Sequence, residues 1–510
     1  MPDRDGVPPV LLVLVSAAVA AVVLVPIGYI ASYCVALGPG EAWEMLVRPR
    51  VAELLRNTLA LLLGVVVSAT VLGVGCAWLV ERTDLPARSL WHVLFVAPLA
   101  VPAFVNSYGW VSLTHAVQTY PGAVLVVTMS YFPLVYLPTV AVLRTLDPAL
   151  EEVAFSLGRS RWATFHQVVL RGSTPAVLGG ALLVGLHVLA EFGALQMLRF
   201  PTFTTAIYDQ YRSAFNSAPA NMLAGVLVLL CLLLLLAELR LRGDARLARI
   251  GAGAARPAER VRLGRLTVPA LAGMLALVTC AVGVPVYSLV HWLSVGSSTA
   301  FPLGELAAAT TTTVSLGLAA AVVATVLALP VAWLAVRHRG VTAAVLERCT
   351  FAAHALPGIV VALALVAVSV RMVRPLYQTV PLLLLGYAVL FLPRALVSVR
   401  SSLEHAPPVL DDVARSLGLK PAAVLGRVTL PLVRSGLGAG AALVFLAVST
   451  ELTATLLLAP IGTSTLATEF WSNSSSVRYG AAAPYALLLV LVSVPATYLL
   501  GRQSRPGTLP

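Results

Sequence analysis

The sequence predicts an all-α polytopic membrane protein with about 12 transmembrane helices, arranged as two six-helix halves that form a parallel repeat. The first observation is composition: 59% of the 510 residues are hydrophobic and 11% are charged, whereas soluble proteins carry about 25% charged residues. The second is the occurrence of long uncharged runs such as 11–30 and 223–237, because about 20 apolar residues in a helix span the bilayer core. The third is an internal repeat.

The internal repeat is clearest in a short polar segment. Residues 150–158 read Leu-Glu-Glu-Val-Ala-Phe-Ser-Leu-Gly, and residues 410–418 read Leu-Asp-Asp-Val-Ala-Arg-Ser-Leu-Gly. A chain that repeats itself in this way contains two related halves. Further paired positions are Trp78 with Trp333, Pro102 with Pro357, and Glu191 with Glu451.

The apolar runs place the helices within these halves. We predict a first half at 1–240, an arginine-rich linker at 241–265 and a second half at 266–510. The helices predicted in the first half are 10–35, 58–80, 90–113, 123–143, 176–198 and 222–239. Those predicted in the second half are 266–292, 312–336, 345–370, 380–399, 436–458 and 482–500. Prolines at 98, 102 and 357 predict kinks.

The net charge of +12 is carried almost entirely by arginine, in short loops between apolar runs. Such loops orient helices, since positive charge accumulates on the cytoplasmic side. The pattern therefore predicts no nucleic-acid partner, and places both termini, the linker and both polar segments in the cytoplasm. Arginines at 41–56 and 371–374 are exceptions on the outer side. The linker is either a solvated connector or a site for anionic membrane lipid.

Each polar segment is patterned as a short helix ending at a glycine corner. Its apolar positions recur at helical spacing, at Leu150, Val153, Ala154 and Leu157. Asp147 is a suitable N-cap for the first short helix. Gly158 and Gly418 are placed to adopt the left-handed conformation that ends a helix, and Ser160 can cap a second short helix. Such an element can dock on a protein partner, or it can lie on lipid headgroups as an amphipathic helix.

These segments resemble the EAA loop of ATP-binding-cassette (ABC) importer permeases with the type I, maltose- and methionine-permease-like fold. The family pattern is Glu-Ala-Ala, three residues, Gly, nine residues, Ile-x-Leu-Pro. The first copy matches with Glu152-Val153-Ala154, Gly158 and Val168-x-Leu170, and the second with Asp412-Val413-Ala414, Gly418 and Val428-x-Leu430-Pro431. Both copies depart from the pattern, most clearly where Arg171 replaces the proline.

The resemblance implies that loops 147–172 and 405–434 are coupling loops that contact a cytoplasmic ABC ATPase, expected as a dimer. The contact residues it implies are Glu152, Ala154, Gly158, Asp412, Ala414 and Gly418. The chain has no Gly-x-x-x-x-Gly-Lys-Ser/Thr loop for phosphate. It is therefore expected to be a transport subunit of a bacterial plasma membrane rather than an enzyme, with no catalytic residue.

The fused halves and two further segments resemble the ferric-iron permeases within that family. These segments are 190–194, Ala-Glu-Phe-Gly-Ala, and 451–458, Glu-Leu-Thr-Ala-Thr-Leu-Leu-Leu. Thiamine permeases, which share the fused layout, and aminophosphonate permeases are the alternatives. A resemblance to any of these permeases implies an extracytoplasmic substrate-binding protein.

Glu191 and Glu451 are acidic residues in otherwise apolar helices. An acid there is costly and is expected to face the bundle interior. The pair either lines a cation pathway or makes structural hydrogen bonds. The five cysteines lack metal-ligand spacing, so neither a metal site nor a cofactor is predicted.

Two other classes of protein remain as alternatives. A secondary transporter can also be built from parallel repeats, but it does not need the coupling motif. A membrane-embedded enzyme is disfavoured because no catalytic motif stands out.

Overall fold

The computed structural model describes residues 9–146, 149–213, 218–242, 260–295, 301–338 and 340–503. Regular structure in this part of the chain is helical, and the one extended pairing is an isolated parallel bridge between Thr83 and Val261. Most of the predicted linker lies outside the described residues.

Thirteen α-helices lie in the described residues before the linker. They are α1 (Val10–Leu37), α2 (Pro39–Leu46), α3 (Pro49–Arg82), α4 (Arg88–Val96), α5 (Ala103–Val111), α6 (Tyr120–Tyr131), α7 (Pro133–Thr145), α8 (Ala149–Ser156), α9 (Arg161–Thr164), α10 (Arg171–Ala190), α11 (Gly193–Met197), α12 (Phe203–Ser213) and α13 (Ala218–Arg242).

In the part of the chain described after the linker there are twelve α-helices. They are α14 (Thr267–Val278), α15 (Val284–Val295), α16 (Leu303–Arg337), α17 (Val341–Ala352), α18 (Gly358–Met372), α19 (Val380–His405), α20 (Pro408–Ser416), α21 (Pro421–Val424), α22 (Leu430–Ser449), α23 (Thr453–Leu458), α24 (Leu466–Ser475) and α25 (Tyr479–Gln503).

Eight continuous helices among the described residues are long and apolar enough to cross a membrane, and the number rises to 11 if each sharply bent pair is one span. Tyr479–Pro495 is a further, shorter apolar helix. The prediction of an all-α polytopic membrane protein is therefore confirmed. These spans are assigned from helix length and apolar composition.

Prolines break two of the bent spans. The chain turns by 91° between Arg88–Ala100 and Ala103–Val111, and by 108° between Val341–Ala355 and Gly358–Met372. Pro102 and Pro357 lie at these breaks, and the residue before each proline is extended, with ψ of 111° at Val101 and 123° at Leu356. A proline ring disfavours the helical conformation in the residue before it, so the kinks predicted at Pro102 and Pro357 are confirmed as breaks. Pro98 lies within the 3-10 helix Ala97–Ala100 rather than at the break.

The described residues form two compact units that do not coincide with the sequence halves. One unit comprises Met1–Met45, Ala214–Val228 and Phe301–Ser472, and within it α1 packs against α16, α17 and α18. The other comprises Leu46–Ser213, Leu229–Ala300 and Asn473–Pro510, and within it α15 packs against α5 and α25. The first apolar span of each half therefore packs against at least one helix of the other half.

Two segments between predicted helices are themselves helical. The α12 helix lies between the predicted helices 176–198 and 222–239, and α24 lies between 436–458 and 482–500. Threonine hydroxyls from distant helices accept the first amide of each: Phe203 N donates to Thr58 Oγ1 (3.3 Å) and Leu466 N to Thr313 Oγ1 (2.9 Å). These partners satisfy amides that a helix start leaves unpaired, and they lie too far away in sequence to be predicted locally.

The predicted start of the second helix, residue 58, was also wrong. The structure begins α3 at Pro49, because proline fits the first turn of a helix and the polar residues after it continue the helix. Part of the predicted polar segment 41–56 is therefore helical.

Candidate functional site

The two polar segments fold into the same helix-corner-helix element. After α8, Gly158 takes φ of 75°, and Arg159 N donates to Ala154 O over 3.0 Å. After α20, Gly418 takes φ of 85°, and Leu419 N donates to Ala414 O over 3.1 Å. These are Schellman corners, in which glycine supplies the left-handed residue. The predicted glycine corners are confirmed, whereas a predicted N-cap at Asp147 lies outside the described residues.

The second arm of each element leads directly into a long apolar helix. In the first copy, Ala163 N donates to Ser160 Oγ over 3.2 Å, which confirms the predicted cap. After the short α9 and α21 helices, π-helical segments follow at Phe165–Leu170 and Leu425–Thr429, and these run into α10 and α22. Each corner is therefore joined without a break to a helix of the bundle.

We expect the glycine corners to be the positions in these elements least tolerant of substitution. Nothing lies within 4 Å of a Cβ added at Gly158 or Gly418, so the cost there comes from the left-handed backbone, about 1–2 kcal/mol for other residues. Gly158→Val with Gly418→Val should raise hydrogen exchange at the corner amides about tenfold. As a control, Gly179→Val, at a helical position with equally open surroundings, should leave exchange at the corners unchanged.

The helices α8 and α20 belong to the predicted coupling loops, and we call them the coupling helices. The apolar face predicted for them is divided between two sides. Ala154 and Ala414 are buried within their units. Leu157 and Leu417 are 75% and 77% exposed. Other exposed residues lie on the same side as these leucines. We define the coupling surface as Glu152, Val153 and Leu157 in the first copy and Asp412, Val413 and Leu417 in the second.

The first acid of each motif points the other way, into an ion pair that the sequence patterns did not reveal. Glu151 Oε1 lies 3.0 Å from an Arg82 guanidinium nitrogen, and Asp411 Oδ2 lies 3.4 Å from one of Arg337. Burial raises the pKa of the Glu151 carboxyl, and the charge of Arg82 opposes that rise. The internal repeat could have drawn attention to the two arginines, because Arg82 and Arg337 are separated by the same interval as Trp78 and Trp333.

Glu191 was predicted to lie inside an apolar helix, but it lies at a break between two helices. The α10 helix ends at Ala190, and the Glu191 backbone is extended with ψ of 122°. Its Oε1 accepts the amide of Ala194 over 2.9 Å, at the start of α11, and its Oε2 accepts the hydroxyl of Tyr131. Thr204 Oγ1 donates to the Glu191 main-chain oxygen over 2.6 Å.

Glu451 has an equivalent place in the second half, between α22 and α23. Its Oε1 accepts the amide of Ala454 over 2.9 Å, and its main-chain oxygen accepts the Thr455 hydroxyl over 2.8 Å. Arg394 is near enough to interact electrostatically with the Glu451 carboxylate. Both glutamates thus cap a short helix that follows a break, but the first copy adds a tyrosine and the second an arginine. The two environments are not interchangeable.

Comparison with known proteins identifies the family. Residues 69–242 and 324–505 each match the family described as binding-protein-dependent transport system inner membrane component. The chain is 38% identical over 506 residues to the Fe(3+)-transport system permease protein FbpB 2 of Haemophilus influenzae, which covers 98% of this chain and 99% of that protein. It is 28% identical over 237 residues to the sulfate transport system permease protein CysT of Escherichia coli, covering 42% of this chain and 86% of that protein.

These matches confirm the resemblance drawn from the two polar segments, and they exclude the alternatives of a secondary transporter and a membrane enzyme. The relatives are permease proteins of transport systems, so the prediction of a transport subunit rather than an enzyme is also confirmed. Systems of this family include a substrate-binding protein and a separate ATPase. The chain belongs to the family of inner-membrane components of binding-protein-dependent transport systems, as a multi-pass permease subunit of an ABC importer.

Proposed function

We propose that this permease imports ferric iron delivered by an extracytoplasmic binding protein. The observation that carries the proposal is the match to a ferric-iron permease over nearly the whole of both chains. The match to the sulfate permease covers less than half of this chain, so it supports the family rather than the substrate. Thiamine and aminophosphonates are the competing substrates.

The coupling surface of each half is the proposed contact for one subunit of a dimeric ATPase. Exposed leucine and valine side chains beside an exposed acid supply the apolar centre and polar edge typical of protein interfaces. Gly158 and Gly418 shape the corner, and the buried Ala154 and Ala414 seat each helix on its own unit.

The proposed topology places both termini, the linker at 241–265 and both coupling loops in the cytoplasm. The support is the distribution of arginine in the loops. The halves at 1–240 and 266–510 are then parallel copies that enter the membrane from the same side. Anionic lipid is a further proposed partner for the arginine-rich linker.

Glu191 and Glu451 are proposed to shape the substrate pathway by fixing the helix breaks beside it. Each carboxylate accepts the amide three residues ahead, which holds the break and the short helix that follows. Direct contact between these carboxylates and a cation is the competing role.

Uptake assays in a strain lacking its own iron importers test the proposed substrate. Cells that express the permease with its ATPase and binding protein should accumulate radiolabelled ferric iron, and thiamine or an aminophosphonate in excess should not compete. The ATPase should co-purify with the permease. Uptake of thiamine or an aminophosphonate in place of iron would contradict the proposed substrate and leave the family assignment standing.

A further inference from the structure

Two equivalent arginines each join three elements at the base of a coupling helix. We infer that Arg82 and Arg337 are positioning residues that transmit movement of the coupling helices to the transmembrane helices α3 and α16. The inference rests on the proposed ATPase contact, and it assigns a role to residues outside that contact.

In the first copy, Arg82 is the last residue of α3 and its side chain is 4% exposed. One of its terminal nitrogens lies 3.0 Å from Glu151 Oε1 in α8, and the other donates to the carbonyl of Leu143 in α7 over 3.1 Å. A single planar guanidinium therefore holds the ends of α3, α7 and α8 together.

The second copy repeats this arrangement with different side chains. Arg337, the last residue of α16, contacts Asp411 Oδ2 in α20 over 3.4 Å and donates to the carbonyl of Ala406, just after α19, over 3.2 Å. Asp411 is also held by the Thr429 hydroxyl, whose Oγ1 donates to Oδ1 over 2.8 Å. The same three-way junction thus occurs in both units.

Each junction lies on the side of its coupling helix opposite the proposed docking contact. Glu151 and Asp411 face their own unit, whereas the next residues, Glu152 and Asp412, are exposed. The side chains of both ion pairs are largely buried, so they are little screened by salt. A force on the exposed side of the coupling helix is therefore carried to α3 or α16 through the buried side.

If these arginines transmit movement, replacing them should uncouple ATP hydrolysis from transport without releasing the ATPase. Replacing both arginines, Arg82→Met with Arg337→Met, keeps most of each apolar stem and leaves the coupling surface in place. The variant should retain the ATPase and hydrolyse ATP, but transport about tenfold less iron per ATP, a size typical of coupling between sites. The acid-side variant, Glu151→Gln with Asp411→Asn, should uncouple in the same direction, and it guards against a folding defect specific to the arginine variant.

Two controls separate transmission from general stability. Arg400→Met breaks the contact between Arg400 and Glu347, which join α19 to α17 without touching a coupling helix, and should leave transport per ATP unchanged. Arg82→Lys with Arg337→Lys keeps the charge but loses the planar guanidinium, whose two terminal nitrogens reach separate acceptors at Arg82, and should fall between wild type and the methionine variant.

Hydrogen exchange gives a readout that does not depend on the substrate. Adding a non-hydrolysable ATP analogue to the permease–ATPase complex should change exchange at the cytoplasmic ends of α3 and α16 in the wild type, and not in the methionine or the acid-side variant. An unchanged nucleotide response in both variants would overturn the inference, as would wild-type transport per ATP or loss of the bound ATPase. Failure of the wild type to carry iron would instead count against the proposed substrate.

Discussion

Replacing two exposed leucines with glutamate, Leu157→Glu with Leu417→Glu, should release the ATPase and abolish uptake. These leucines are 75% and 77% exposed beside the glycine corners, on the side of each coupling helix away from the buried ion pair. A charge placed at the apolar centre of an interface must be desolvated without a partner. Central contacts of this kind cost about 2 kcal/mol or more when lost, so two symmetric lesions should lower ATPase affinity by a factor on the order of a thousand.

Co-purification of the ATPase from detergent extracts measures this loss of affinity. Iron uptake by cells should fall with it. Ile461→Glu is a matched control, since Ile461 is 88% exposed in the turn after α23 and far in sequence from either coupling helix. The control should keep the ATPase bound. Retention of the ATPase by the double leucine variant would show that the coupling surface is not the docking site.

Removing the two break-capping carboxylates should abolish uptake without releasing the ATPase. Glu191→Ala with Glu451→Ala leaves the amides of Ala194 and Ala454 without their acceptors at the starts of α11 and α23. An unsatisfied buried amide costs about 1–3 kcal/mol, and two such losses should lower uptake by tenfold or more. ATP hydrolysis in the complex should persist, because the coupling helices are untouched.

Glutamine at the same positions separates capping from cation binding. The amide oxygen of glutamine can accept the same backbone hydrogen bond, but the side chain carries no charge. If capping is the role, Glu191→Gln with Glu451→Gln should keep uptake within about threefold of wild type, which is less than 1 kcal/mol. Uptake by the glutamine pair as low as that of the alanine pair would contradict capping as the role and show that the negative charge is required, either for the cation or, at Glu451, for Arg394. Glu305→Ala, at an exposed site in the first turn of α16, serves as the control.

The features predicted correctly from sequence are those fixed by local stereochemistry. Gly158 and Gly418 were identified because a left-handed helix end favours glycine, and Pro102 because a proline constrains its neighbour. The long apolar helices followed from composition alone. These are properties that a short stretch of chain carries by itself.

The features missed depend on partners far away in sequence. The α12 helix begins on a hydroxyl of Thr58, and the Arg82 ion pair joins α3 to a helix that comes much later in the chain. The break at Glu191 was predicted as continuous helix because the flanking residues are apolar. In the structure it is held by the side-chain cap on Ala194 and by the hydroxyl of Thr204, which lies in another helix. The packing of α1 with helices of the second half likewise leaves no local pattern.

Both coupling helices are proposed to face one compartment, where a single ATPase dimer can engage them. Cysteine placed at Ser156 or at Ser416, both exposed, in a chain whose five native cysteines are replaced, allows each helix to be labelled alone. A membrane-impermeant thiol reagent should label both positions in inverted vesicles and neither in right-side-out vesicles. Labelling of the two positions from opposite sides of the membrane would contradict the account.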